Sequence, residues 1–191
     1  QESGCQVLAS LAIDDGLEAQ IGEEGGLPPL LAALTQHPKH KGVQEKGLLA
    51  LQNLSSNPDN KKRIAESDGI AVVVAAMTGL PGRPVVQEKG CGALANLAKN
   101  EANRVKIAAG GGIAAVLAAM RGHWAHAGVQ VQGCTALWNL GLVEANRVQI
   151  VEAGGLALVQ EALQKHAGHE RVQAMGKGAE RVLQPLGVLG S

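Results

Sequence analysis

The apolar and polar positions of residues 127–140 alternate with the period of an α-helix. At about 100° per residue, the apolar residues fall on one side, at Cys134, Ala136, Leu137 and Leu140. The opposite side carries Asn139, Thr135, Gln132 and Gly128, with Trp138 on its flank. The pattern predicts an amphipathic helix that buries its apolar side and leaves a polar side facing outward.

The same pattern recurs along the chain with a period of 43 residues. One series of glycines, each followed by Leu or Ile, lies at Gly26, Gly69, Gly112 and Gly155. A second series lies at Gly4, Gly47, Gly90, Gly133 and Gly176. Val-Gln recurs from Val43, Val86, Val129 and Val172, and Ala-Leu-x-Asn-Leu from Ala50, Ala93 and Ala136. Several independent series that share one period indicate a repeat protein.

Each unit is predicted to contain three helices, which in the third unit run over about 103–109, 112–121 and 127–140. The turn before the second helix needs a residue at positive φ, which Gly adopts at little cost. In the second unit this position holds Asp68, and Asp tolerates left-handed geometry better than most residues. Pro28 and Pro29 fit the first turn of a helix, where a missing N–H is harmless.

A glycine is also predicted inside each long helix, in the series Gly4 to Gly176. Gly in a helix interior costs about 1 kcal/mol relative to Ala. Our hypothesis is a tight helix crossing that leaves no room for a side chain. The alternative is inheritance of the glycine from a duplicated unit.

The units predict a single array over residues 1–191. Residues 1–16 form a partial repeat with a third helix only, 17–59, 60–102 and 103–145 are full repeats, and 146–191 is a C-terminal capping repeat. In that last unit Lys177 and Glu180 replace the apolar residues of the other units, as a polar terminal surface requires. The apolar tail 185–189 is a candidate to fold back onto it. At the other end, the apolar Cys5 and Leu8 favour a longer parent chain over a lone capping helix.

The motifs in order are Asn-Arg-Val-x-Ile, Gly-Gly-Ile, Val-Gln-x-x-Gly and Ala-Leu-x-Asn-Leu. This order resembles the armadillo repeat, of the type found in importin alpha and beta-catenin. The resemblance covers essentially the whole chain. It implies an all-α fold, a right-handed α-solenoid of three-helix repeats, in which the third helices line a concave groove that holds extended peptides.

Asn53, Asn96 and Asn139 occupy the position at which, in the family, an asparagine binds the peptide backbone. An amide side chain both donates and accepts hydrogen bonds, so it can pair with a backbone of any sequence. The alternative is that these asparagines cap neighbouring backbone groups or stay solvated.

Further candidates for protein or peptide binding lie on the same side of the third helices, at Lys46, Lys89, Gln132, Thr135 and Trp138. Trp138 is either an exposed anchor or a residue that packs on the next repeat. Glu45 and Glu88 stand beside the lysines, so a solvated face of mixed charge is an alternative to a basic groove. The tryptophans of importin alpha correspond to Leu49, Gly92 and Thr135 here, which weakens the interpretation as a nuclear-transport adaptor.

The charges balance, with 17 basic and 17 acidic residues, which disfavours nucleic acid as a partner. The longest uncharged run, 122–143, is too polar for a bilayer, and the three cysteines favour a reduced, cytoplasmic or nuclear setting. Cys91 and Cys134 are predicted core residues. The histidines occur in three closely spaced pairs, His37/His40, His123/His126 and His166/His169. Zinc usually needs three or four ligands, so we expect no metal site.

The chain shows no convincing catalytic constellation and no cofactor motif. We therefore expect a non-enzymatic scaffold that holds an extended peptide or a partner helix. The alternative from another class is a structural segment of a larger multidomain protein or assembly, which contacts its neighbours through the convex side.

Overall fold

The computed structural model describes residues 1–184, and all regular structure within that range is α-helical. The helices are α1 (Glu2–Leu11), α2 (Asp15–Glu23), α3 (Leu27–Gln36), α4 (Lys41–Leu54), α5 (Pro58–Glu66), α6 (Gly69–Gly79), α7 (Pro84–Leu97), α8 (Glu101–Ala109), α9 (Gly112–Gly122), α10 (Ala127–Leu140), α11 (Glu144–Glu152), α12 (Gly155–Lys165) and α13 (Glu170–Leu183). The predicted all-α class is confirmed.

The helices pack in three rows. In one row α1, α4, α7, α10 and α13 each contact the next. The second row runs through α3, α6, α9 and α12, and the third through α2, α5, α8 and α11. Between the rows lies one apolar core, to which the 14-residue helices contribute fully buried leucines such as Leu48, Leu94 and Leu137. Each such leucine contributes about 1.5–3 kcal/mol by its burial.

The predicted left-handed turns are present. Gly25, Asp68, Gly111 and Gly154 have φ values of 83°, 57°, 79° and 80°. Asp68, Gly111 and Gly154 directly precede α6, α9 and α12, and Gly26 separates Gly25 from the start of α3. Asp68 thus occupies the left-handed position that glycine holds in the other three turns.

The tight-crossing hypothesis is confirmed for four of the five interior glycines. A Cβ added to Gly47, Gly90, Gly133 or Gly176 would lie 2.4–2.7 Å from a Leu or Met side chain of the preceding helix. At Gly4, in α1, nothing lies within 4 Å of such an atom. At those four positions, the two helices can approach this closely only because glycine has no side chain.

The helices α2, α5, α8 and α11 begin two residues before the unit boundaries placed at 17, 60, 103 and 146. In three of them the reason is a side-chain cap. Asp14, Asn57 and Asn100 accept hydrogen bonds from backbone N–H groups of the first turn, for example Asn100 from Asn103 N. The predicted second helix of the third unit also extends one residue further, to Gly122.

The last long helix exposes charge where the earlier ones bury apolar groups. Lys177 is exposed, whereas Leu48, Cys91 and Cys134 at the corresponding positions are fully buried. Glu180 is half-buried and accepts a hydrogen bond of 3.0 Å from Gln160 Nε2. The prediction that the tail 185–189 folds back lies outside the described residues.

Across residues 1–184, no single helix is both long and apolar enough to cross a membrane. The helices α8 and α9 meet that criterion only when taken together, and they are bent by 74° at their junction.

We predict that Gly90→Ala lowers the free energy of unfolding by about 1–3 kcal/mol, because the new Cβ would lie 2.4 Å from Met77 Cγ. The matched control is Gly4→Ala, which has open space and should be neutral or stabilising by up to about 1 kcal/mol. Urea unfolding followed by circular dichroism measures both. An equal response of the two variants would contradict the crossing argument.

The buried cysteines predict a decline of stability at alkaline pH. Burial raises the pKa of the Cys91 and Cys134 thiols to about 12, and the proximity of Cys134 adds to the rise at Cys91. The ordinary value is 9.0, so from about pH 9 to 12 the folded state holds protons that the unfolded state has lost. Stability from these thiols is therefore complete below pH 9 and falls as the pH rises to 12.

Cys91→Ala/Cys134→Ala should make the free energy of unfolding less dependent on pH above 9 than it is in the parent chain. Urea titrations of both proteins at pH 8 and pH 10 measure the difference. Identical pH dependence would show that these thiols do not contribute to the alkaline decline.

Candidate functional site

The candidate binding residues share one side of three neighbouring helices. Asn53 lies on α4, Asn96 on α7 and Asn139 on α10, and all three are half-buried. Because α4, α7 and α10 pack in series, the three amides form a row. We call this surface the amide face; it also includes the half-buried Lys46, Lys89, Gln132, Thr135 and Trp138.

Each asparagine of the amide face is bonded to the preceding long helix. The Nδ2 atoms of Asn53, Asn96 and Asn139 donate to the carbonyl oxygens of Ala9, Gln52 and Ala95, each at 2.9 Å. These carbonyls lie in the last turns of α1, α4 and α7, where a helix has no further N–H groups of its own to offer. One N–H of each amide therefore caps a neighbouring helix, while its second N–H and its Oδ1 are outside this bond.

Two more rows of amides join neighbouring helices, the first within each repeat and the second between layers, and their role was not recognised from the sequence. The Nε2 atoms of Gln44, Gln87, Gln130 and Gln173 each donate to two carbonyls at the end of the preceding helix. Asn60, Asn103 and Asn146 donate to the carbonyls of Glu18, Lys61 and Arg104, one layer back. In the sequence, the recurring Val-Gln and Asn-Arg strings were the signals that could have identified these glutamines and asparagines as structural.

Trp138 packs against α13. A Cβ added to Gly178 would lie 2.4 Å from Trp138 Cε3, so the indole ring covers the glycine. Gln52 covers Gly92 of α7 in the same way, with its Nε2 2.4 Å from an added Cβ. A large side chain on one helix thus meets a glycine on the next, and the half-buried ring of Trp138 is a wall of the amide face rather than a free anchor.

The charged residues of this region are paired in part. Glu45 accepts from Arg83 at 2.6 Å, and Glu88 accepts from Lys89 at 2.6 Å. His126 Nδ1 lies 3.9 Å from Glu88 Oε2. Ion pairs at partly exposed positions contribute about 0–1 kcal/mol. The amide face therefore carries mixed charge, as one of the two sequence interpretations describes.

The recurring histidines take part in capping. His40, His126 and His169 each accept a backbone N–H through Nδ1, from Val43, Val129 and Val172, and so begin α4, α10 and α13. His123 Nε2 lies 2.7 Å from Pro81 O, and His166 Nε2 lies 3.0 Å from Trp124 O. In the part of the chain that the structure describes, no three His, Cys, Asp or Glu side chains are grouped as metal ligands.

Comparison with known proteins adds information on the fold alone. No family model and no curated protein matches the chain. A crystal structure of an engineered protein from the Northeast Structural Genomics Consortium is similar over 97% of this chain, with a TM-score of 0.83 and 26% sequence identity. The chain spans only 44% of the length of that protein. A second engineered protein from the same consortium is similar over 96% of this chain and 90% of its own length, with a TM-score of 0.57 and 21% identity.

The pairing of Trp138 with Gly178 predicts a coupled response to mutation. Gly178→Ala should destabilise the fold by about 1–3 kcal/mol, because its Cβ would enter the indole ring. In the background Trp138→Ala the same change should be neutral or favourable. Urea unfolding of the single and double variants gives the coupling energy, expected to be about 1–3 kcal/mol.

Gly122→Ala is the matched control for this cycle, because a Cβ at Gly122 meets nothing within 4 Å. Gly122→Ala should change the free energy of unfolding by the same amount in the parent chain and in the Trp138→Ala background. Additive effects of Trp138→Ala and Gly178→Ala would show that the ring does not press on Gly178.

Proposed function

We propose that the chain is an armadillo-type solenoid that acts as a non-enzymatic interaction scaffold and holds an extended peptide or partner helix on the amide face. The row of Asn53, Asn96 and Asn139 carries the proposal, because three amides on neighbouring helices can form hydrogen bonds with successive peptide groups of a bound polypeptide backbone. The helices α4, α7, α10 and α13 begin at Lys41, Pro84, Ala127 and Glu170, and each start differs from the last by 43 residues. This register supports the repeat assignment.

The spacing of the asparagines suits an extended chain. Packed helices lie about 8–10 Å apart, and an extended chain advances about 3.3 Å per residue. One asparagine would then meet the ligand backbone roughly every two to three residues. Each amide can offer its second N–H to a ligand carbonyl and its Oδ1 to a ligand N–H, so recognition would not depend on the ligand's sequence.

The neighbouring side chains define the kind of ligand. Lys46, Lys89 and Gln132 offer donors, whereas the hydroxyl of Thr135 already donates to Val131 O at 2.7 Å. The paired glutamates keep the face from being strongly basic. The ligand is therefore a polypeptide of mixed or mildly acidic character in the cytoplasm or nucleus, not nucleic acid or membrane. The function of a nuclear-transport adaptor is less suitable for two reasons. Gly92 is covered by Gln52. In addition, Leu49 and Thr135 are not aromatic and so provide no aromatic pocket.

A second candidate function is a structural segment of a larger assembly, which contacts its neighbours through α3 and α6. The observation that favours it is the absence of charged residues from both helices.

The experiment is a pull-down from cell lysate followed by mapping of the captured protein on overlapping synthetic peptides. The intact chain should retain a protein through a linear segment, and Asn53→Ala/Asn96→Ala/Asn139→Ala should lose it by at least about ten-fold, since two or more hydrogen bonds disappear.

The asparagines also hold the stack, so the control must lose equivalent bonds elsewhere. Asn60→Ala/Asn103→Ala/Asn146→Ala removes three inter-layer amide bonds from α5, α8 and α11 and leaves the amide face intact. It should be destabilised to a similar degree and still bind. Equal binding by all three proteins would refute the role of the amide face and favour the structural segment.

A further inference from the structure

A cavity of about 410 Å³ lies between α1 and α3, at one end of the stack. One wall belongs to α1 and includes Gln1, Gly4 and Val7, and the other belongs to α3 and includes Pro29 and Ala33. Among the described residues that line the cavity, none is charged. The α1 positions recur in the four later repeats, and there a helix covers them.

The later repeats define that helix. In each, a single Leu or Met residue of the shorter helix contacts the long helix that follows it in two ways. Its side chain lies 2.4–2.7 Å from the place of an added Cβ on the interior glycine of the long helix. Its carbonyl oxygen accepts a hydrogen bond of 2.7–3.0 Å from the glutamine three residues before that glycine. The four residues that make both contacts are Leu34 on α3, Met77 on α6, Met120 on α9 and Leu163 on α12.

Helix α1 carries one half of this contact. Gln1 and Gly4 correspond to Gln44 and Gly47, which lie 43 residues further along the chain. Gly4 is exposed and nothing lies within 4 Å of an added Cβ, whereas Gly47 is buried. Gln1 is exposed, whereas Gln44 is buried. Val7 is 56% exposed, whereas the alanine at its position in each later long helix is fully buried. The surface of α1 therefore has the residues that receive a helix, and they are uncovered.

The α3 wall of the cavity matches the same kind of helix. Pro29 and Ala33 correspond to Val72 and Ala76 of α6, which line the cavity between α6 and α3. A helix placed over Gly4 would then contact α1 and α3 as α3 contacts α4 and α6. Since α3 and α6 contain no Asp, Glu, Lys or Arg, a helix of their composition also suits the uncharged lining.

The opposite end of the stack has a different character. There α13 exposes Lys177, at a position where the earlier long helices are apolar. A charged group would lose hydration under an apolar helix without gaining an ion pair. The docking surface for an apolar helix is therefore specific to the α1 end.

We propose that the cavity between α1 and α3 is a docking site for an apolar α-helix of a partner polypeptide. A Leu or Met side chain of that helix lies over Gly4, and the carbonyl of the same residue accepts from Gln1 Nε2. The covered counterparts in the four later repeats carry the proposal. The site shares no residue with the amide face, so it does not depend on the function proposed above.

The probe is a synthetic peptide with the sequence of residues 26–40, which contains α3. Isolated helices shorter than about 12–15 residues are marginal in water, so a lactam bridge between Ala32→Lys and Gln36→Glu holds the peptide helical. Both positions are exposed in the chain, so the bridge lies away from the docking contact. Circular dichroism verifies the helix before the peptide is used.

The test is a titration of the ¹⁵N-labelled chain with this peptide, followed by NMR. The amides of Gly4, Val7 and Ala33 should show saturable shifts. A control peptide with the same bridge carries Leu34→Ala. It should bind at least about ten-fold more weakly, because it lacks the side chain that covers the glycine.

Two variants of the chain locate the site. Gly4→Leu places a side chain where the leucine of the peptide would lie, and should weaken binding at least about ten-fold. Gly122→Leu is the matched control, because an added Cβ has open space at both glycines and Gly122 lies at the end of α9. It should bind the peptide as the parent chain does. Leucine is a better helix former than glycine, so both variants are compatible with the fold.

Several results would overturn the proposal. Equal affinity for the two peptides would exclude the leucine contact, and unchanged binding by Gly4→Leu would exclude the site on α1. Shifts that leave out Gly4 and Val7 would place the peptide elsewhere on the chain. The absence of saturable shifts up to the solubility limit of the peptide would exclude helix docking. If light scattering shows that the parent chain is a dimer and Val7→Asp a monomer, a second copy occupies the surface and the proposal is wrong.

Discussion

Hydrogen bonds from side-chain amides to the carbonyl ends of helices hold the layers of this protein together. Every helix leaves its last carbonyls without N–H partners, and stacking would bury them at a high cost in free energy. Asn53, Asn96 and Asn139 satisfy one such carbonyl each on the preceding long helix. The buried glutamines do the same within a repeat, as Gln44 does at the end of α3 and Gln87 at the end of α6. Asn60 and Asn103 bond instead to the carbonyls of Glu18 and Lys61, in the first half of the helix one layer back. The asparagines of the long helices therefore complete the hydrogen bonding of the layer before them.

The distance between helices depends on glycines that face large side chains. Gly90 lies under Met77 and Gly133 under Met120, so the long helix can approach the one before it. Between long helices, Gly92 lies under Gln52 and Gly178 under Trp138. The contact of Gly92 with Gln52 lies between α4 and α7, the two helices that the bond from Asn96 Nδ2 to Gln52 O joins at 2.9 Å. Between α4 and α7, close packing and polar bonding thus occur at the same contact.

The amide bonds also bear on the proposed function. One N–H of each asparagine on the amide face is committed to a neighbouring helix, so its side chain is already ordered before a ligand arrives. A ligand that bonds to the remaining N–H and Oδ1 would therefore pay less conformational entropy than it would with free side chains. Ligand binding and the stability of the stack then depend on the same residues, which is why a control with amides lost elsewhere is needed.

The sequence by itself determined the local features, because helix periodicity and turn geometry depend on residues close together in the chain. The helices, the left-handed position of Asp68 and the buried cysteines were predicted from spacing, and the hypothesis of glycine crossings holds at four of the five positions, the exception being Gly4. Only the tertiary structure decided what the polar residues contact. Asn96 and the carbonyl of Gln52 are far apart in sequence and meet only after the layers stack, and the same holds for Trp138 and Gly178. Periodicity identifies the face of a helix on which a side chain lies, whereas its partner depends on how closely two helices approach.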